Sequence, residues 1–272
     1  MKLELHHPLD GYYQGTRFDR SGVFRSLVFN GVEFCGEWFE KYSPTMHDAV
    51  LGPAEEFSPS VIPGPDRESH IVLKPGVGLL DIGPEPYDRF KLYRIVDPGT
   101  WEVDGMRFRH RLEGFYTYTK EISVTSGNSF RISHCYEAIA PYSGEVYNHN
   151  FFTLGKFETG PSRLIDFPFR PEGTWRAQYD SVAFTPGGIR FARKLREGES
   201  VYTGNIHEAG KTGMPYDMVI SEGNIGIHIK GDVPVTKTVL WANHRIACLE
   251  PYNRIELAPG ESFSWTIEYT LI

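Results

Sequence analysis

Apolar and polar residues alternate along much of the chain, most clearly between residues 101 and 136. There, the alternating runs are separated by Asp104-Gly105, by Gly114 and by Ser126-Gly127-Asn128. A period of two is typical of strands with one buried face, and glycine and asparagine favour hairpin turns because they tolerate positive φ. The alternation returns from Ile225 onward and ends in the run 263–271. We therefore predict a succession of antiparallel strands.

Helical patterns are scarce. The segment 43–57 has room for one or two short turns around His47-Asp48-Ala49-Val50, before Gly52-Pro53 interrupts them. The 28 glycines and 19 prolines are spread throughout the chain, which shows no flexible linker and no internal repeat. The pattern predicts an all-β fold with very little helix, in which residues 1–272 form one large antiparallel β-sandwich domain.

Composition narrows the class of partner and the compartment. A formal charge of −7 argues against a sequence-independent nucleic-acid binder, which needs basic surface to displace counterions. Cys35, Cys135 and Cys248 are too widely spaced to indicate a disulfide framework or a structural metal. The N-terminus lacks the apolar run of a signal peptide, and no stretch of 18 apolar residues occurs. We expect a cytoplasmic protein with no membrane or nucleic-acid partner; the oligomeric state is left open.

Two polar residues in apolar, strand-like runs are candidates for catalysis. His149 follows Asn148 in VYNHNFF, and Glu250 follows the apolar run of RIACLEPY. A histidine exchanges protons near neutrality, and a desolvated carboxylate is a suitable general base. Each residue taken alone also has an ordinary explanation. The histidine could be satisfied by backbone groups or water in the core, and the glutamate could point to water from a strand end.

Further charged residues could contact a ligand. Glu55 and Glu56 are adjacent in GPAEEF, so on a strand only one of them can point into a given pocket. Arg17 lies near the first predicted sheet, and Asp217 precedes an apolar pair but could equally be a turn residue. YDRFKLYR contains a basic cluster for which a solvated strand face is the favoured interpretation; it consists of Arg89, Lys91 and Arg94.

The motifs around His149 and Glu250 together resemble the aldose 1-epimerase (galactose mutarotase-like) family. In that family the catalytic histidine lies in Asn-His-x-Tyr/Phe-Phe, which is matched by residues 148–152. The catalytic glutamate lies in a Cys-Leu-Glu context before Pro-Gly-Glu, which is matched by residues 248–250 and 259–261. The opening GTRFDRSGVFRSLVFNGVEF is similar to the N-terminal hairpin of the family. A Gly-Arg-x-x-Asn-Arg segment and a His-Gly-Gly histidine are absent, so the chain resembles an outlying branch.

The resemblance implies a galactose mutarotase-like supersandwich with a sugar bound in a groove on one sheet. His149 would protonate the ring oxygen while Glu250 removes the anomeric proton, the ring would open, and it would close on the other face. No metal or redox cofactor is implied. The resemblance and the nearby residues suggest further contacts to the sugar from Arg17, Glu56, Asn148, Asp217 and Trp241, with Trp241 stacking on the ring as Tyr147 also could.

Three alternatives stay open. The first is a non-catalytic carbohydrate-binding or sensing domain of the same fold, because fold does not imply function. The second is an epimerase of a phosphorylated or otherwise anionic sugar, with anion ligands among Arg17, Arg89, Lys91 and Arg94. The third, hydrolysis or lysis of a glycan, is less favoured because no second catalytic carboxylate with an obvious partner stands out.

Overall fold

Two large antiparallel sheets face each other and hold most of the apolar side chains between them. The computed structural model describes residues 1–62, 70–155, 158–211 and 213–272, and it contains strands, turns and bends but no helix in these ranges. No helix long and apolar enough to cross a membrane is therefore found in the described part of the chain. The predicted all-β antiparallel fold is confirmed.

The described residues form 23 strands. The first twelve are β1 (Lys2–Leu5), β2 (Phe24–Phe29), β3 (Val32–Glu33), β4 (Gly52–Phe57), β5 (Ser60–Val61), β6 (Ile71–Lys74), β7 (Gly78–Asp81), β8 (Arg94–Asp97), β9 (Thr100–Asp104), β10 (Arg107–Leu112), β11 (Tyr116–Val124) and β12 (Ser129–Ala138). The others are β13 (Tyr142–Phe151), β14 (Arg163–Asp166), β15 (Pro171–Trp175), β16 (Val182–Thr185), β17 (Gly188–Phe191), β18 (Ser200–Glu208), β19 (Asp217–Glu222), β20 (Ile225–Gly231), β21 (Lys237–Asn243), β22 (Ala247–Leu257) and β23 (Ser262–Leu271).

The strands assemble into four sheets. A ten-stranded sheet has the order β16-β17-β14-β19-β20-β23-β12-β11-β10-β9, and a six-stranded sheet has the order β15-β18-β21-β22-β13-β4. Smaller sheets are formed by β1-β2-β3 and by β5-β6-β7-β8. The long central strands β22 and β13 place residues from the middle and the end of the chain side by side.

The hairpins predicted between residues 101 and 136 are present as β9 to β12, which pair consecutively. Gly105 and Gly114 lie in their connections with φ of +58° and +75°, values that L-residues with a Cβ rarely adopt. The apolar members of the alternation, such as Phe130 and Ile132 of β12, are buried. The sequence pattern therefore predicted both the strands and their buried face.

The segment before β4 contains short turns, as its sequence predicts. Turn hydrogen bonds join the Met46 amide to the Ser43 carbonyl and the Ala49 amide to the Met46 carbonyl. The turns end where β4 begins at Gly52, whose φ is +64°. A Cβ at this position would lie 2.8 Å from the Cys35 sulfur, so the packing here leaves room only for glycine. This start of β4 brings Glu55 and Glu56 beside β13.

Candidate active site

A cavity of about 310 Å³ opens on the face of the six-stranded sheet that points away from the ten-stranded sheet. Its charged and polar lining consists of Arg17, Asp48, Arg89, His149, Arg176 and Glu250. Its aromatic lining consists of Trp38, Phe90, Phe151, Tyr202 and Trp241. A concave site with aromatic walls and a few convergent polar groups is typical of a small-molecule site.

Strand register brings His149 and Glu250 together. Tyr147 of β13 lies opposite Tyr252 of β22, and the strands are antiparallel. Two residues further along β13 and two residues back along β22 reach His149 and Glu250 on the same face, because side chains alternate with a period of two. The His149 Nδ1 and Glu250 Oε1 atoms are 3.2 Å apart. The two residues of the sequence motifs are thus in contact, although 101 positions separate them.

A second carboxylate holds the other side of the imidazole. His149 Nε2 hydrogen-bonds to Glu56 Oε2 at 3.2 Å, and Arg17 Nε donates to the same Glu56 oxygen at 2.8 Å. The His149 side chain is fully buried, whereas 9% of the Glu250 side chain is exposed. Nδ1 lies at ion-pair distance from Glu250 but makes no hydrogen bond of good geometry in the described structure. Glu56 therefore orients the ring and leaves Nδ1 available for proton transfer.

The surrounding charges favour the imidazolium form of His149. Burial lowers the pKa of His149, but Glu250 and Glu56 outweigh this effect, so the pKa lies above its usual value of 6.5. Burial raises the pKa of Glu56, but Arg17, Lys74 and His149 outweigh it and hold that pKa well below 4.5. Glu56 is therefore an anion at neutral pH, and its charge is shared among the cations around it.

Arg17 lies in the cavity, as expected for a substrate-binding candidate, but its charge is already compensated. In addition to Glu56 it contacts Asp48, whose carboxylate also lies 2.9 Å from His47 Nε2. Only 8% of the Arg17 side chain is exposed. Its guanidinium carbon lies 4.7 Å from the centre of the Phe18 ring. Arg17 is thus a fixed part of the cavity wall.

The two glutamates of β4 point to opposite sides of the six-stranded sheet. Glu56 points to the cavity side, where its Oε2 hydrogen-bonds to His149 Nε2. Glu55 points into the interior, where it contacts Lys120 of β11 and, at 3.1 Å, His134 Nε2 of β12. Burial raises the pKa of Glu55, but Lys120 and His134 outweigh it and the pKa is lowered. Of the two, Glu56 belongs to the site, but it is buried and does not line the cavity, so the predicted contact between Glu56 and substrate is corrected: the residue holds His149.

Two predicted substrate-binding residues lie outside the cavity. Asn148 is adjacent to His149 on β13 and therefore points the opposite way, into the interior. There its amide donates to Glu55 at 3.1 Å and accepts hydrogen bonds from Tyr216 and Tyr269, each at 2.9 Å. The predicted contact between Asn148 and substrate is therefore corrected: the residue supports the strand that carries His149.

Asp217 is corrected for a different reason. It begins β19 in the ten-stranded sheet, and its Oδ1 lies 2.7 Å from His228 Nε2 of the neighbouring strand β20. The Asp217 side chain is partly exposed and does not line the cavity. Its position before an apolar strand reflects the end of a hairpin pair rather than a ligand contact.

Trp241 lines the cavity, as predicted, and lies next to a second tryptophan that the sequence analysis missed. The ring centroids of Trp241 and Trp38 are 5.5 Å apart, and Trp38 stacks on Phe151 at 4.7 Å. Tyr147 instead stacks on Tyr252 at 4.2 Å and is buried beside the cavity rather than lining it. Trp38 comes from an irregular segment, so no periodicity marked it in the sequence.

Of the basic cluster, only Arg89 reaches the cavity. Arg94 pairs with Asp81 at 2.7 Å on the surface, and Lys91 is exposed. The favoured interpretation of this cluster as a solvated face therefore holds for two of its three members. Arg176, which directly follows β15, was missed because nothing in GTWRAQYD distinguishes it from a surface arginine.

One group of donor atoms has the composition of a metal site. Suitable donor atoms of His149, Cys248 and Glu250 lie within 4.8 Å of one another, the only such trio among the described residues. Burial raises the pKa of Cys248 well above its usual value, which favours the neutral thiol over the thiolate that binds metals. A neutral thiol makes this trio a poor metal site.

Comparison with solved structures identifies the fold. A galactose mutarotase-like protein from Lactobacillus casei ATCC 334 is similar, with a TM-score of 0.54, 10% identity and all of both chains covered. A galactose mutarotase-like protein from Clostridium acetobutylicum gives a TM-score of 0.51 and 14% identity, covering 93% of this chain and 90% of that one. A candidate aldose 1-epimerase from Escherichia coli K12 gives a TM-score of 0.51 and 10% identity, covering 100% and 99%. No protein-family model matches the chain, and no curated protein matches it significantly. The chain has the galactose mutarotase-like fold.

Proposed function

We propose that the protein is a carbohydrate isomerase of the aldose 1-epimerase kind, which interconverts the anomers of a sugar bound in the cavity. The observation that carries the proposal is the contact of 3.2 Å between His149 Nδ1 and Glu250 Oε1 in the cavity lining. The galactose mutarotase-like fold and the sequence motifs around both residues support it. Mutarotation requires a proton donor and a proton acceptor close together, and this pair supplies both.

The ring-opening step uses the pair in its resting charge state. The imidazolium of His149 gives the Nδ1 proton to the ring oxygen of the sugar, while the carboxylate of Glu250 takes the proton of the anomeric hydroxyl. The bond between the anomeric carbon and the ring oxygen breaks, and the aldehyde forms. Glu56 remains hydrogen-bonded to Nε2 throughout, so the neutral histidine retains its Nε2 proton and its orientation.

Ring closure reverses both proton transfers. After rotation about the C1–C2 bond, the hydroxyl that was formed from the ring oxygen attacks the other face of the aldehyde. Neutral His149 accepts the hydroxyl proton at Nδ1, and Glu250 returns its proton to the new anomeric oxygen. The enzyme is then in its starting charge state. Positioned acid–base catalysis of this kind contributes roughly 10²–10⁴ to the rate.

The cavity walls provide for binding. Trp241, which is partly exposed, offers an aromatic face to the apolar face of a sugar ring, and the buried Trp38 supports it from behind. Arg17, held by Glu56 and Asp48, keeps donors available for hydroxyl groups without moving. We assign no substrate contact to Asn148 or Asp217.

The test is anomeric exchange measured by saturation-transfer NMR on a panel of neutral and anionic sugars. We expect wild type to accelerate exchange for at least one sugar, and His149→Ala and Glu250→Gln to lose about 10²–10⁴ of that acceleration. Two matched controls lie outside the cavity, His228→Ala and Glu145→Gln, and these should keep wild-type rates.

The same experiment separates the proposal from its main alternative. The protein would be a sugar-binding or sensing domain if folded wild type binds a sugar without accelerating its anomeric exchange and the Glu250→Gln variant binds that sugar with the same affinity. Full activity of His149→Ala would also contradict the mechanism.

A further inference from the structure

We propose that the sugar carries an anionic group, a phosphate or a carboxylate, which Arg89 and Arg176 bind at the cavity. The inference rests on the proposed function to the extent that it places a sugar in this cavity. It adds the chemical class of the substrate and the two residues that select it.

The three arginines of the cavity differ in what compensates their charge. Arg17 is buried and contacts two carboxylates, Glu56 and Asp48. Removing a cation from water is costly unless it is paired, and these contacts provide the pairing. The positive charge of Arg17 is therefore already compensated within the protein.

Arg89 lacks such a partner. Its closest carboxylate atom is Glu56 Oε1, 3.8 Å from Nε, which is too long for a hydrogen bond. Glu56 also forms ion pairs with Arg17, His149 and Lys74. The Arg89 side chain is 42% exposed, and it donates no hydrogen bond within the described residues. Its guanidinium carbon lies 5.6 Å from the centre of the Tyr147 ring, which supports it from one side.

Arg176 is freer still. It is an exposed residue that follows β15 directly, and in the described part of the structure its side chain has no ion pair and no hydrogen bond. Its guanidinium carbon lies 5.8 Å from the centre of the Tyr202 ring. An aromatic contact of this kind places a guanidinium while leaving its N–H donors free.

The two free guanidiniums converge on one part of the cavity. Arg89 lies over the ring of Tyr147 and Arg176 over that of Tyr202, and these two tyrosines belong to one packed cluster with Val239 and Tyr252. Tyr202 itself lines the cavity together with both arginines.

Two arginines of the cavity lining that donate no hydrogen bond to a carboxylate form a positive subsite in a protein of net charge −7. Each guanidinium presents donors that match the paired oxygens of phosphate or carboxylate, and charge-assisted bonds of this type are about twice as strong as neutral ones. Glu250 and Asp48 would repel an anion from the rest of the cavity. An anionic group bound by the two guanidiniums would orient the sugar in the cavity.

The experiment measures affinity separately from catalysis. Isothermal titration compares glucose with glucose 6-phosphate and glucuronate, and galactose with galactose 6-phosphate and galacturonate, on wild type. We expect at least one anionic sugar to bind about tenfold or more tightly than its neutral parent, with the preference falling as salt increases. The phosphorylated and uronic arms distinguish the two sources of negative charge.

Two variants test the assigned residues. Arg89→Gln and Arg176→Gln should each reduce the ratio of anionic to neutral affinity by about tenfold to a hundredfold, as loss of a charge-assisted bidentate contact predicts. Arg94→Gln, which removes an arginine outside the cavity, should retain the wild-type ratio. Because Arg176 is exposed and unpaired, its variant should fold normally.

The outcomes are unambiguous. If no anionic sugar binds more tightly than its neutral parent, or if the preference persists in both variants, the inference is overturned. Anionic sugars that bind through Arg89 and Arg176 without faster anomeric exchange would support the inference and contradict the proposed catalysis. Faster anomeric exchange of neutral sugars, with no tighter binding of anionic sugars, would support the proposed catalysis and contradict the inference.

Discussion

At the scale of single residues, the site depends on a histidine placed between two carboxylates of different character. Glu56 is buried, charged at neutral pH and hydrogen-bonded to Arg17, so it serves as a fixed anchor. Glu250 lies closer to solvent and lines the cavity, so it is the carboxylate that can meet a substrate proton. The division of roles follows from burial and neighbouring cations, because both residues have the same side chain.

The anchor role of Glu56 predicts a change in pH dependence. Glu56→Gln removes one of the two anions that raise the pKa of His149 and leaves Arg17, which lowers it. The imidazolium is then lost at lower pH, so the alkaline limb of kcat should move downward. At most, activity should fall by the roughly 10²–10⁴ that general acid–base catalysis contributes.

The measurement is a pH–rate profile of anomeric exchange for wild type, Glu56→Gln and the exposed control Glu121→Gln. An alkaline limb at the wild-type position in Glu56→Gln would show that Glu56 does not set the protonation of His149.

At the scale of elements, β4 separates two charged clusters. Its alternation sends Glu56 to the cavity and Glu55 to the interior between the two large sheets. On the interior side, Lys120 contacts Glu55 and lies 3.8 Å from Asp19, and all three side chains are buried. Burial raises the pKa of Asp19 to about 6 despite Lys120. This second cluster joins the edge strand of the six-stranded sheet to β11 and β12.

The interior cluster predicts a large effect on stability. Lys120→Met removes the cation that compensates Glu55 and Asp19 and leaves buried carboxylates without it. Breaking a buried ion pair from one side typically costs about 3–5 kcal/mol in the free energy of unfolding. Urea denaturation should show this loss, whereas the exposed control Lys91→Met should stay within about 0.5 kcal/mol of wild type. A loss below about 1 kcal/mol for Lys120→Met would mean that water or structural relaxation replaces the lysine.

At the scale of the whole molecule, the site couples proton binding to folding. The pKa of Glu56 is lowered by folding, so this residue stabilises the fold above pH 4.5 and loses that contribution as the pH falls. The pKa of His149 is raised, so this residue stabilises the fold below pH 6.5 and loses that contribution as the pH rises. Together the two residues stabilise the fold most between pH 4.5 and 6.5.

This coupling can be measured as a difference between proteins. The free energy of unfolding of wild type minus that of His149→Ala should decrease as the pH rises from 6.5. The free energy of unfolding of wild type minus that of Glu56→Gln should decrease as the pH falls from 4.5. Each slope is limited to about 1.4 kcal/mol per pH unit, the value for one proton. Differences that do not vary with pH would show that folding leaves these two pKa values unchanged.

The sequence by itself determined the strands and the two residues of the catalytic proposal. Alternation encodes strand and buried face locally, which is why β9 to β12 and β23 were predictable. His149 and Glu250 stood out as polar residues in apolar runs that resemble family motifs. Alternation also implies that neighbours on a strand face opposite ways, which already separates Asn148 from His149.

Tertiary structure decided which face is which and which loops reach the cavity. Alternation shows that Glu55 and Glu56 diverge, but only the pairing of β4 with β13 places Glu56 under His149. Arg89 and Arg176 come from segments outside the strands, where no periodicity constrains the side chain, so their convergence depends on contacts between distant parts of the chain. Local patterns specify local geometry, whereas a binding site is assembled by long-range packing.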